Sequence, residues 1–238
     1  MKKTAIFAFA ALAASILLSC TVPGPAGPAG ADVYTLEFQQ GSFPGAGYDG
    51  AADADINNEI PTYSSGGYEA FWVGFDGSKW RGVVKFDISA IVPSNVTVKS
   101  AYLTLHINEA SVGVTLTAKA LTRNWVEGDE DYGNNPDTYV SWNYYNGAGN
   151  AWTNPGSDFS ANDAITPVFI GASSVNGYIS VKLDNSLVQT WITDPVTNYG
   201  VVLMDQSEAG GTHYIGVDTK EASDPGLRPK LTVNYSIN

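Results

Sequence analysis

The sequence has few of the residues that build common metal and redox sites. It contains one cysteine and two histidines in 238 residues, which excludes a zinc site of the usual Cys/His kind. Cys20 has no partner for a disulfide within the chain. The G-x-S-x-G, H-E-x-x-H and phosphate-binding glycine motifs are also absent. An enzyme is therefore the less favoured class, although paired carboxylates in a loop could hydrolyse a glycosidic bond.

Positive charge is scarce and unevenly distributed. The chain has 12 Lys and Arg against 24 Asp and Glu, a balance that disfavours nucleic acid and anionic lipid as partners. Half of these basic residues lie between positions 79 and 123, opposed there by Asp87 and Glu109 alone. The sequence therefore predicts a locally positive surface on an acidic protein.

The N-terminus has the pattern of an exported lipoprotein. Lys2 and Lys3 precede an apolar run from Ala5 to Leu18, which is shorter than the roughly 20 residues of a membrane-spanning helix. Leu17-Leu18-Ser19-Cys20 resembles a lipobox, and Thr21 after the cysteine resembles the pattern of outer-membrane lipoproteins. We expect a signal peptide at 1–19, a lipid on Cys20 that anchors the chain in the cell envelope, and a Gly-Pro-Ala spacer over 20–32. The alternative is a plain secretory signal with a chance cysteine.

Residues 33–238 read as one domain of short strands. The clearest alternation places Ala101, Leu103, Leu105 and Ile107 on one strand face. One helix is predicted from Leu187 to Ile192, capped by Asp184 or Asn185 and stopped by Pro195. These patterns predict an all-β antiparallel β-sandwich with one short helix. Strands are predicted over Val33–Phe38, Tyr68–Gly74, Arg81–Ile88, Val96–Ile107, Val112–Leu121, Tyr178–Leu183, Tyr199–Met204, Thr212–Val217 and Lys230–Tyr235.

The segment 124–163 is loop-rich, aromatic and acidic. It holds eight aromatic and seven acidic residues and no Lys or Arg, and long loops inside a domain are usually functional. Glu127, Asp129 and Asp131 alternate, which suits the oxygen ligands of calcium, with Asp53 and Asp55 as a second pair. We assign Trp125, Trp142 and Trp191 to the core and Tyr144, Tyr145 and Trp152 to a candidate binding surface.

Several motifs occur in a fixed order along the chain. They are WRGVVKFDIS from Trp80, SAYLTL from Ser100, TRNWVEG from Thr122, Ser141-Trp142, LVQTW from Leu187, NYGVVL from Asn198, and Glu221 with PKLTVNY from Pro229. Taken together, they resemble the DNRLRE-type domain, and the chain looks like a lipoprotein similar to carbohydrate-binding module family 96. The resemblance implies a sandwich of jelly-roll type, recognition of alginate-like polysaccharide by some members, and bound structural Ca²⁺ in some sandwiches of this kind.

Alternation predicts which basic side chains share a surface. If Val84, Phe86 and Ile88 face the core, Arg81, Lys85 and Asp87 face away from it. Tyr102 and His106 on the next strand, then Lys119 and Arg123, would join them. Arg and Lys suit the carboxylates of a uronate, and aromatic rings suit the apolar side of a sugar. The alternative is an internal Arg81/Lys85–Asp87 charge network without a ligand.

We therefore expect a surface-anchored, non-catalytic polysaccharide-binding module, with uronate-rich glycans as its ligand class. The expected partners are polysaccharide and, through the lipid alone, a membrane, with no nucleic acid. One alternative is a structural adhesin or extracellular matrix protein without a defined glycan pocket. A second is a polysaccharide-degrading enzyme.

Overall fold

The computed structural model describes residues 32–88, 95–134 and 138–237. The predicted signal peptide, Cys20 and nearly all of the spacer lie outside these residues. No helix within the described ranges is long and apolar enough to cross a membrane.

The described chain contains twelve strands and one α-helix. The helix, α1, spans Asn185–Thr193. The strands are β1 Val33–Gln39, β2 Ala51–Asn57, β3 Ala70–Asp76, β4 Lys79–Phe86, β5 Val96–Ala110, β6 Val114–Leu121, β7 Phe159–Asp163, β8 Val168–Ile170, β9 Gly177–Leu183, β10 Val201–Asp205, β11 Thr212–Asp218 and β12 Lys230–Ile237.

The strands form a curled antiparallel sheet, an all-β sandwich of the jelly-roll type that was expected. On one side, β5 lies between β12 and β9, and β1 extends the sheet beyond β12. On the other side, β4 pairs with β2 and β10, and β6 follows β10. The β3–β11 pair connects the two sides, since β11 pairs with β5 and β3 with β4.

The main core fills the space between the two sides. The β5 residues Ala101, Leu103, Leu105 and Ile107 are fully or almost fully buried there, as their alternation predicts. Helix α1 closes one end with Val188 and Trp191. Of the two predicted caps, Asp184 is the one used, because its carboxylate accepts a hydrogen bond from Leu187 N at 2.9 Å.

A second core covers the opposite face of the β2–β4–β10–β6 side. Val84 points into the main core, whereas its neighbour Val83 packs in the second core with Trp125 and Trp142. Both tryptophans come from the aromatic segment that follows β6. This side of the sandwich is therefore buried on both faces, which sequence alternation alone did not predict.

Strands β2, β7 and β8 were not predicted. The sequence of β2 is AADADIN, and its polar members Asp53, Asp55 and Asn57 are buried. Alanine, aspartate and asparagine are depleted in strands, so the segment has no strand signal. Its pairing with β4 over seven residues decides its conformation.

Candidate functional site

The predicted basic surface is not one surface. Arg81, Lys85 and Lys119 lie on β4 and β6, whereas Tyr102 and His106 lie on β5, in the other side of the sandwich. The outer faces of the two sides point away from each other, so these groups cannot share a ligand. The expectation was wrong because residue alternation gives a face within one strand and not the relation between sheets.

Arg81 is an interior residue. The residue is 9% exposed, and its side chain forms two hydrogen bonds to Glu208, from Nε to Oε1 at 2.5 Å and from Nη2 to Oε2 at 2.6 Å. The guanidinium also donates to Gly156 O and lies 4.9 Å from the ring centre of Trp142. The open position expected for Arg81 is thus corrected, and its partner is Glu208 rather than Asp87.

The other basic candidates are also engaged within the protein. Lys85 Nζ donates to Trp125 O at 2.6 Å, and burial lowers its pKa. Lys119 Nζ lies 3.0 Å from Asp163, and the half-exposed Arg123 lies 3.4 Å from Asp158. Each cation has a local acceptor, which weakens the case for an anionic ligand.

His106 and Tyr102 lie on the outer face of β5. His106 is 8% exposed, with Nδ1 2.5 Å from Asp218 Oδ2 and the ring of Tyr178 packed edge-on against it. Tyr102 is partly exposed, between Lys182 of β9 and Thr232 of β12. The burial of His106 arises from these neighbours, which alternation does not reveal.

The three candidate binding aromatics divide into one core residue and two partly exposed ones. Trp152 is 4% exposed and donates through Nε1 to Ser141 O, so its expected surface position is wrong. It packs against Tyr145 in the second core. Tyr145 and Tyr144 remain partly exposed. The expected core positions of Trp125, Trp142 and Trp191 are confirmed.

An acidic cluster, defined by Asp53, Glu127 and Glu221, combines candidates that were predicted separately. Carboxylate oxygens of the three lie within 4.8 Å of one another. Asp129 and Asp131, the other predicted metal ligands, are exposed and outside this cluster. Glu127 reaches Asp53 because its Oε1 accepts a hydrogen bond from Asp53 N at 2.5 Å.

The acidic cluster brings like charges together in a largely buried position. Burial, followed by the charges of Glu127 and Glu221, raises the pKa of Asp53 well above its usual value. Burial also raises the pKa of Glu127 to about 7. Lys220 partly compensates, with Nζ 3.2 Å from Glu127 and 2.5 Å from Glu221.

An aromatic pocket opens near the β3–β4 turn. It is a cavity of about 450 Å³ lined by six side chains: Trp72, Trp80, Tyr132, Tyr214, Asp76 and Glu109. The two tryptophan rings meet edge-on at 5.9 Å, and Tyr132 contacts both. Four aromatic rings therefore meet at one partly exposed site.

Hydrogen bonds hold these rings in place. Glu109 accepts from Trp72 Nε1 at 3.2 Å and from Tyr214 OH at 2.9 Å. Tyr132 OH donates to the buried Asp55 at 2.7 Å, and burial raises the pKa of Asp55 to about 6. The pocket is therefore formed by packing and hydrogen bonding within the protein itself.

Sequence reasoning did not find this pocket. Trp72 and Trp80 lie on the two strands of the β3–β4 hairpin, close to its turn. Tyr132 and Tyr214 arrive from a distant loop and from β11, and no spacing in the sequence links them. A second cavity, of about 510 Å³, is lined by residues 163–166, 168 and 180–185 and has no aromatic side chain.

Comparisons with known proteins identify no family. No family model matches the chain, and no curated protein matches it. Among solved structures, the VP2 protein of infectious bursal disease virus has 11% identity and a TM-score of 0.12, covering 94% of this chain and 40% of VP2. A structure of the Gx strain of that virus has 13% identity and a TM-score of 0.09, covering 87% and 34%. The chain thus spans less than half of either, and likeness this weak carries no argument.

Proposed function

We propose that this protein is a non-catalytic polysaccharide-binding module whose ligand site is the aromatic pocket. The observation that supports the proposal is the convergence of Trp72, Trp80, Tyr132 and Tyr214 around an open cavity of about 450 Å³. Small-molecule sites are typically concave and apolar with a few fixed polar groups. An aromatic ring can cover the apolar face of a sugar while polar groups at the rim bind its hydroxyls.

The charge of the pocket argues for a neutral glycan instead of the uronate that the sequence favoured. Its lining carries the carboxylates of Asp76 and Glu109 and no Lys or Arg. A uronate carboxylate would be repelled there, since like charges across an interface cost binding energy. Sugar hydroxyls can instead donate to these carboxylate oxygens.

Fixed rings should favour affinity. Trp72 and Tyr214 are both bonded to Glu109, and Tyr132 to Asp55. A site that is already ordered loses little conformational entropy on binding. The same bonds support a binding role over a catalytic one, because both oxygens of Glu109 already hold aromatic rings.

Glycan titration of the full chain, followed by calorimetry, tests this proposal. A neutral β-glucan should bind and alginate should not, with little dependence on salt. Trp80→Ala should weaken binding about tenfold or more, because truncation of an aromatic anchor at a hot spot costs about 2 kcal/mol or more and about 1.4 kcal/mol is already tenfold. Tyr178→Ala is a matched control, since Tyr178 is exposed on another face.

The basic candidates give the second arm of the experiment. The folded double variant Lys85→Ala/Lys119→Ala should bind the neutral glucan as the wild type does. Loss of binding in this variant, with full binding by Trp80→Ala, would overturn the pocket assignment and restore the basic surface. Binding of no glycan by the wild type would favour the adhesin interpretation.

We also propose display on the cell envelope through a lipid on Cys20. This rests on the lipobox-like Leu17-Leu18-Ser19-Cys20. Two or more acyl chains anchor a protein stably. Such an anchor would hold the aromatic pocket near extracellular polysaccharide.

A further inference from the structure

The acidic cluster contains buried oxygen atoms without partners. Asp53 is 1% exposed, and its Oδ1 has no hydrogen-bond partner, while its Oδ2 accepts from Lys220 N at 2.9 Å. Glu221 Oε2 is also buried and unpartnered. Buried polar atoms normally have a partner. Two orphaned carboxylate oxygens in one cluster therefore point to a missing cationic ligand.

The charges of the cluster do not balance within the protein. Three carboxylates meet one ammonium at ion-pair distance, that of Lys220, which lies against Glu127 and Glu221. Lys85 acts on Glu127 as a nearby charge but donates its hydrogen bond to Trp125 O, so it is not counted in the cluster. When all three acids are ionised, the cluster has a net charge of −2. A divalent cation would neutralise it, and buried charges are normally paired or bound to metals.

We propose that Asp53, Glu127 and Glu221 bind one calcium ion. Calcium takes oxygen ligands at about 2.3–2.6 Å, so two oxygens on opposite sides of one ion are about 4.6–5.2 Å apart. The three carboxylates offer oxygens that all lie within 4.8 Å of one another, so all three can reach one ion of this size. Magnesium demands near-ideal octahedral geometry and gives up its water reluctantly, so a site built from protein carboxylates favours calcium.

The cluster also has an anchored framework. Asp53 is fixed on β2 opposite Val84 of β4. Glu127 is held by Asp53 N, and Glu221 N donates to Thr219 Oγ1 at 3.3 Å. The ion would thus join β2 to the loops after β6 and β11. The aromatic pocket uses other side chains, so this proposal does not depend on the proposed glycan.

Calorimetric titration of CaCl₂ into the chelator-treated full chain tests the proposal. We expect one site with a dissociation constant of about 10⁻⁴–10⁻³ M or tighter, as in extracellular calcium modules. Calcium should raise the thermal midpoint, because a ligand that binds only the folded state stabilises it. Magnesium at the same concentration should have a smaller effect.

Variants assign the site. Asp53→Asn and Glu221→Gln should each weaken calcium binding about tenfold or more, because calcium affinity changes by orders of magnitude with the charge count of its ligands. Glu221→Gln, at the less buried position, serves if Asp53→Asn does not fold. Asp129→Asn is the matched control, since Asp129 is an exposed acid near Glu127 in sequence. No calcium binding by the wild type would overturn the proposal. So would wild-type affinity in folded Glu221→Gln, or a loss confined to Asp129→Asn.

Discussion

Glu208→Ala should destabilise the fold strongly, because Glu208 neutralises the buried guanidinium of Arg81. The two residues share two short hydrogen bonds, and both side chains are largely buried, at 11% and 15% exposure. Removal of one partner of a buried pair leaves an uncompensated charge, at a cost of about 3–5 kcal/mol. Arg81 would keep its hydrogen bond to Gly156 O and its contact with Trp142. We therefore expect the free energy of unfolding to fall by about 3 kcal/mol, the lower end of this range.

Urea and thermal unfolding measure this effect. For a chain of this size, about 1 kcal/mol shifts the thermal midpoint by roughly 2–4 °C, so a fall of about 6–12 °C is expected. Glu37→Ala is the matched control, because Glu37 pairs with Lys230 at 2.8 Å in a more exposed setting. Exposed pairs contribute about 0–1 kcal/mol.

The outcome distinguishes two roles for Arg81. A loss of about 3 kcal/mol in the free energy of unfolding of Glu208→Ala identifies Arg81 as a structural residue that joins β4 to the second core. A loss no larger than that of Glu37→Ala would refute the reasoning. Arg81 would then be free enough to meet a ligand, as alternation suggested.

Three further predictions follow from other elements. In chelator, the free energy of unfolding should fall as pH rises from about 4.5 through about 7, because Glu127 has a raised pKa in the folded state. Denaturation midpoints measured across pH should fall less in Glu127→Gln than in the wild type. An equal fall in the two proteins would contradict the role of Glu127. Asp184→Ala should cost about 0.5–2 kcal/mol by loss of the α1 cap, and an unchanged urea midpoint would contradict it. Cys20→Ala should abolish lipidation and cleavage at this position, and mass spectrometry that finds an unmodified native N-terminus elsewhere would refute the anchor.

The burial of Glu127 gives that pH dependence its direction. Folding raises the pKa of the Glu127 carboxyl by burial and by the charge of Glu221. The folded state therefore binds this proton more tightly than the unfolded state does. The resulting stability is fully present below about 4.5 and is lost as pH rises through about 7. Calcium should offset the loss above pH 7. The charged groups around Glu127 are Asp53, Glu221, Lys220 and Lys85.

The candidate sites were partly predictable. Glu127 and Asp53 were singled out as acids, but the sequence assigned them to different groups and did not connect either to Glu221. Their side chains meet only because β2 lies beside β4 and the loops after β6 and β11 close over it. The aromatic pocket also could not be predicted from the sequence, since Trp72 and Tyr214 come together only through the pairing of β3 with β11.

The sequence by itself determined the fold class, the inward face of β5, and the presence of α1 between a cap at Asp184 or Asn185 and Pro195. These follow from local periodicity and capping chemistry, which act over a few residues. Only the tertiary structure decided that a second core covers β4, where Trp152 and Arg81 become interior residues. A strand pattern records which side chains share a face, but the packing of distant segments decides whether that face meets water or protein.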